Sequence, residues 1–143
     1  MEIKIINRSK NEKPSYATEG ASGFDLRANL DEDLIVKPLE RVAVPTGLFL
    51  EIPVGYEGQI RARSGMSLKH GITMANGVGT IDSDYRGEIK VLIVNISDKE
   101  YTIKNNDRIA QMIIAKYERA DFKLVEELSD TSRDKGGFGH TGY

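Results

Sequence analysis

Asp82 and Asp84 stand on either side of Ser83 within Gly77-Val78-Gly79-Thr80-Ile81-Asp82-Ser83-Asp84-Tyr85-Arg86-Gly87-Glu88. A carboxylate aimed from a glycine-bounded turn can draw a proton from water, and glycines let a ligand come close to the backbone. On a regular strand the two Asp side chains share a face; in a tight turn that rule lapses, and one can act as a base while the other braces the turn. Asn76, just before the stretch, offers both a donor and an acceptor, which suits a nucleobase edge or a turn. Tyr85 can stack on a sugar or simply pack.

Four further clusters carry chemistry-bearing residues. In Gly20-Ala21-Ser22-Gly23-Phe24-Asp25-Leu26-Arg27-Ala28, Asp25 sits where a turn enters a strand, able to cap the turn or to orient metal-bound water or a neighbouring Arg. Arg61-Ala62-Arg63-Ser64-Gly65-Met66-Ser67 offers a guanidinium fork, a hydroxyl and backbone N–H groups, all suited to an anion; an ordinary helix start is the plainer reading. In Asn106-Asp107-Arg108-Ile109-Ala110-Gln111-Met112-Ile113, polar Arg108 and Gln111 enter an apolar strand, and a buried Gln111 needs a partner, either a phosphate or a backbone group. The end of the chain, residues 131–143, sets Arg133, Phe138 and His140 among glycines. It reads as a flexible tail or as an arm that orders over a ligand.

Composition bounds what these clusters can do. The chain has 143 residues, enough for one domain, and 39% hydrophobic residues, enough for a core. It has no cysteine, so disulfides, thiolate metal sites and cysteine nucleophiles are excluded, in keeping with a cytoplasmic protein. A net charge of -2 is not the footprint of a nucleic-acid binder, and no apolar run is long enough to span a membrane. Only His70 and His140 are present, and no HExxH, GxxxxGK[ST] or GxSxG motif occurs.

The elements that must position the clusters are strands. Apolar or alternating runs fall at Ile3 to Ile6, Phe24 to Ala28, Leu34 to Val36, Val42 to Ile52, Gln59 to Ala62, Ile89 to Ile96, Tyr101 to Ile103, Ile109 to Tyr117 and Phe122 to Val125. Turn signals such as Lys37-Pro38 and Asn105-Asn106-Asp107 separate them, which predicts an all-β sandwich or barrel. The β-branched run from Lys90 to Ile96 reads as a strand buried on both faces or as an interface strand. One short helix is expected from Ser64 as cap to Gly71 as terminator.

In order, ASGFDLRA, RARSGMSLKHGI, NGVGTIDSDYRGE, NDRIAQMII and RDKGGFGHTG resemble the five motifs of the dUTP diphosphatase (dUTPase) family, across Ala21 to Gly142. The likeness is to its homotrimeric branch. The resemblance implies a jelly-roll-like β-barrel at 1–130, an arm at 131–143 that closes over the site, and a homotrimer whose sites draw on different subunits. It implies hydrolysis of dUTP to dUMP and pyrophosphate, with Mg2+ on the triphosphate. Asp82 then matches the general base. Asn76 matches the uracil reader, with the Gly79, Thr80 and Ile81 arm, and Tyr85 lies beneath the deoxyribose, where a 2′-hydroxyl clashes. Arg63, Ser64, Gly65 and Gln111 match phosphate contacts, and Lys90 a further ligand contact. Asp25 matches the first-motif carboxylate, acting through metal-bound water or by bracing the site. In the arm, Arg133 matches the γ-phosphate contact and Phe138 the cover over the base, with Gly139, His140 and Thr141 near the substrate. Asp134 departs from the family's frequent Gly, and Ser67 from its frequent Ala.

Two alternatives compete. The dCTP deaminases share the fold but tend to carry Pro-Gly-aromatic after the hairpin Asp, where this chain has Ser83-Asp84-Tyr85-Arg86-Gly87. A non-catalytic nucleotide-binding regulator would not need an intact Asp82 and arm.

Overall fold

Short β-branched runs with period-two burial cannot bury themselves alone; they must pair and close a core between sheets. A computed structural model describes residues 1–137 and realises this with eleven strands and one helix. The strands are β1 (Lys4–Asn7), β2 (Gly23–Arg27), β3 (Leu34–Val36), β4 (Arg41–Pro45), β5 (Leu48–Glu51), β6 (Tyr56–Arg61), β7 (Ile72–Met74), β8 (Gly79–Ile81), β9 (Lys90–Asn95), β10 (Tyr101–Ile103) and β11 (Arg108–Lys116). Helix α1 (Ser64–His70) lies between β6 and β7.

Every strand pairing is antiparallel. The largest sheet runs β2-β11-β6-β8; a second runs β4-β9-β7; β1-β5 and β10-β3 form two-stranded ribbons. Together they make an all-β, jelly-roll-like fold. Inward residues of all four sheets meet in one core, with Leu26, Ile60, Ile72, Ile93, Ile103 and Met112 fully buried.

Two polar side chains share that core, and each has a structural task. Asn95 donates through Nδ2 to the Val36 and Lys99 carbonyls at 2.9 and 2.7 Å, and its Oδ1 accepts from the Ser97 backbone N–H at 3.0 Å. Thr46 donates to the Ile89 carbonyl at 2.6 Å. No buried side-chain polar atom among the described residues lacks a partner, as burial without water demands.

Four expectations need correction. The run from Val42 to Ile52 is two strands, broken at Thr46-Gly47. Gly47 has φ +70, and a Cβ there would lie 2.7 Å from the Ser9 backbone nitrogen, so only glycine fits the break. The helix is capped by Arg63 in extended conformation rather than by Ser64, which is already helical, and no side chain caps it; Gly71 does end it, at φ +64. Of the two readings of β9, burial on both faces does not hold within this chain, since Val91, Ile93 and Asn95 point inward whereas Leu92 points out; the interface reading is left. Phe122 to Val125 forms no strand, because no described edge pairs with it; Phe122 and Leu124 are 95% and 99% exposed. Among the described residues, regular structure ends at Lys116.

Candidate functional site

The largest sheet places the phosphate-type residues in a row. Asp25 on β2 faces Gln111 on β11, and Gln111 faces Arg61 on β6. Arg63 and Ser64 follow directly where β6 gives way to α1. The Asp25 carboxylate accepts from Arg63 Nε at 2.9 Å and lies 3.4 Å from Arg108 Nη1. Arg63 also donates to the Arg108 carbonyl at 3.1 Å. One carboxylate thus holds two guanidiniums, leaving a net positive cluster at the strand ends. Gln111 donates to the Ala62 carbonyl at 3.0 Å, the backbone partner that a half-buried amide needs. Asp25, Arg63, Ser64, Gly65, Arg108 and Gln111 line a cavity of about 300 Å³. A Cβ on Gly65 would meet nothing within 4 Å, so the space before it is open. Sequence reading sees Arg108 only as a polar residue entering a strand; the structure adds it to this cluster.

The hairpin residues gather elsewhere. Strand β8 is the edge of the same sheet, with Gly79 opposite Ile60, Thr80 opposite Gln59 and Ile81 opposite Gly58. Asn76, Thr80, Asp82, Tyr85, Lys90 and Leu92 line a cavity of about 230 Å³, with Gly79 and Ile81 in its wall. Asp82 follows β8 directly and is exposed, and its carboxylate has neither ion pair nor hydrogen-bond partner among the described residues. The Tyr85 N–H donates to the Asp82 carbonyl at 3.1 Å and closes the turn. Asp84 instead borders a separate cavity with Ser83 and Arg86, on another side of the hairpin. The alternation of a regular strand does lapse here, and of the two carboxylates only Asp82 lines the cavity of Asn76.

The two cavities share no lining residue. Within a single chain the carboxylate hairpin and the arginine cluster therefore line separate cavities. Arg133 donates through Nε to the Gly136 carbonyl at 2.8 Å, within a turn where Asp134 has φ +43, a conformation that favours glycine. Phe138, Gly139, His140 and Thr141 lie outside the described residues.

No group of three or more Asp, Glu, His or Cys side chains converges among the described residues. Asp25, the expected metal-side carboxylate, is engaged by arginines. This donor set does not cage a cation. It fits a Mg2+ held mainly by the phosphates of a bound nucleotide, the usual arrangement for that ion. No described helix is long and apolar enough to cross a membrane.

The fold and its two clusters define a class: an all-β protein with two arginines gathered on one carboxylate at one cavity and, beside Asn76 at another, a carboxylate that has no partner among the described residues. Comparison with known proteins narrows it. The dUTPase family model matches residues 9–142. The deoxyuridine 5'-triphosphate nucleotidohydrolase of Finegoldia magna is 61% identical over 143 residues, covering 100% of both chains. That of Fusobacterium nucleatum is 54% identical, covering 99% of this chain and 97% of its own. The Staphylococcus bacteriophage 80alpha dUTPase, solved with dUPNHPP, superposes with TM-score 0.89 at 26% identity and covers 99% of both chains. The chain belongs to the dUTPase family.

Proposed function

We propose that this protein hydrolyses dUTP to dUMP and pyrophosphate by in-line attack of water on the α-phosphorus, limiting uracil in DNA and supplying dUMP for thymidylate synthesis. The observation that carries the reading is the Asp82 carboxylate, without a partner among the described residues, in one cavity with Asn76 and Tyr85. Asp82 orients the water and takes its proton. Asn76 and the β8 backbone read the uracil edge, and the narrow hairpin pocket leaves no room for a thymine methyl. Tyr85 forms the wall against a 2′-hydroxyl. Arg63, Ser64, Gly65 and Gln111 receive the phosphates, with Lys90 a further contact, and Arg133 reaches the γ-phosphate from the arm at 131–143. When bound on the triphosphate, Mg2+ neutralises phosphate charge, and we assign Asp25 to it through water. Positioning and charge stabilisation supply most of the acceleration in phosphoryl chemistry of this kind.

The proposal includes a homotrimer in which the hairpin of one subunit completes the arginine cluster of another. Two observations support it: the two cavities share no lining residue within one chain, and apolar residues stand uncovered, among them Ile96 beyond β9 and Phe122, Leu124 and Leu128 in the last segment. Light scattering is expected to return three times the 15.9 kDa chain mass; a monomer that turns over dUTP at full rate overturns this part. The location that goes with the reading is cytoplasmic. The reaction itself is tested by pyrophosphate release with dUTP, dCTP and dTTP. Turnover of dUTP alone is the expected result. Ammonia from dCTP selects the deaminase, and binding without products selects a regulator.

A further inference from the structure

The position of Tyr85 depends on a residue that has no side chain. We propose that Gly87 is a specificity-positioning residue: the missing Cβ lets the Tyr85 ring lie against the backbone, and that seat fixes the wall that rejects a ribonucleotide. The inference rests on the reading of Tyr85 as the sugar-facing residue.

A Cβ at position 87 would lie 2.5 Å from Tyr85 Cζ and 2.8 Å from Cε2, and nearer still to the hydroxyl. Real Cβ atoms essentially never approach below 3.0 Å, so something must give. All three nearest atoms belong to the Tyr85 side chain, so the ring moves and not the barrel. The backbone at 87 makes no demand of its own. The described glycines with positive φ are Gly47, Gly55, Gly71 and Gly77, and Gly87 is not among them. Glycine is needed at 87 for room.

The seat is tied into the fold. The Tyr85 hydroxyl donates to the Glu88 carbonyl at 3.0 Å. The Glu88 carboxylate accepts from the Gly47 N–H at 2.8 Å, and Thr46, buried at the β4–β5 break, holds the next carbonyl, that of Ile89. On the other side Arg86 donates to the Ser83 carbonyl at 2.7 Å and to the Tyr85 carbonyl at 3.0 Å. An alanine at 87 therefore pushes the ring off and severs its bond to Glu88, while the ties from residues 46 and 47 stay intact. Two other side chains of the proposed site use the same device less tightly. A Cβ on Gly79 would come within 3.1 Å of Asn76 Nδ2, and one on Gly23 within 3.1 Å of Gln111 Oε1.

The test is a double-variant cycle with dUTP and UTP. Gly87→Ala is expected to lower the dUTP-over-UTP ratio of kcat/KM by about tenfold or more, the scale set by a displaced positioning group. In a Tyr85→Ala background the same change is expected to move that ratio less than about twofold, because the displaced ring is gone. Unchanged discrimination in folded Gly87→Ala, or losses that add in full, overturn the inference. Should Gly87→Ala not fold, the double variant decides: folding restored by Tyr85→Ala supports the clash, and failure of both overturns it. Nuclear Overhauser contacts between the Gly87 Hα protons and the Tyr85 ring are expected in the free protein, and their absence overturns the seat. That readout needs no substrate, so it stands apart from the activity reading, which falls if the parent protein does not turn over dUTP.

Discussion

Asp82→Asn is expected to bind dUTP nearly as the parent does and to turn it over about a hundredfold more slowly or worse, the scale of losing a positioned base. Asn keeps the shape and the hydrogen-bond reach of Asp but cannot accept the proton of the attacking water. The structure makes the substitution clean. The Asp82 carboxylate has no partner among the described residues, so Asn breaks no ion pair and strands no buried group. Asp84 supplies the comparison. It is two residues away and exposed, but borders the cavity that holds Ser83 and Arg86. Asp84→Asn is expected to change turnover less than about threefold, as exposed surface substitutions usually do. Single-turnover pyrophosphate release beside equilibrium binding of dUPNHPP separates chemistry from affinity. Near-parental turnover in Asp82→Asn removes that residue from the role.

Part of the candidate site is visible in the sequence as chemistry-bearing residues on a strand's outward alternation: Asp25 and Gln111 are half-exposed between buried neighbours, and the structure joins Asp25 to Arg63 directly. The hairpin declares itself through glycines around carboxylates. What stays hidden is long-range. The tie from Glu88 to Gly47 spans 41 positions, and nothing near either residue announces it. The break at Thr46-Gly47 is masked because Thr is a good strand former and the reason for Gly47 is Ser9, far away in sequence. Outward Leu92 on β9 shows the limit of hydropathy: a run of apolar residues tells that both faces avoid water, not whether this chain or another covers the second face. The same ambiguity misassigns Phe122 to Val125, whose alternation resembles a strand although no described edge receives it.

Deleting residues 133–143 is expected to leave the barrel folded and to cost about a hundredfold or more in kcat/KM for dUTP. The first half follows from where the core ends. Among the described residues the last buried apolar side chain is Met112, the last strand closes at Lys116, and Leu124 and Leu128 beyond it are exposed. Thermal unfolding of the truncated chain should therefore match the parent. The second half follows from charge. Arg63 is already engaged by Asp25, and Arg108 lies against the same carboxylate, so part of that positive charge is spent before a triphosphate arrives. The far end of the triphosphate needs another cation, and Arg133 is the arginine of the arm that can supply it, there being none from 134 to the end. Preorganised charge of this kind is commonly worth 10²–10³ in rate. Arg133→Ala in the full chain separates the contributions: most of the loss should return if charge dominates, and little if cover of the base by the rest of the arm dominates. Full activity in the truncated protein would make 131–143 a plain tail and confine catalysis to the barrel.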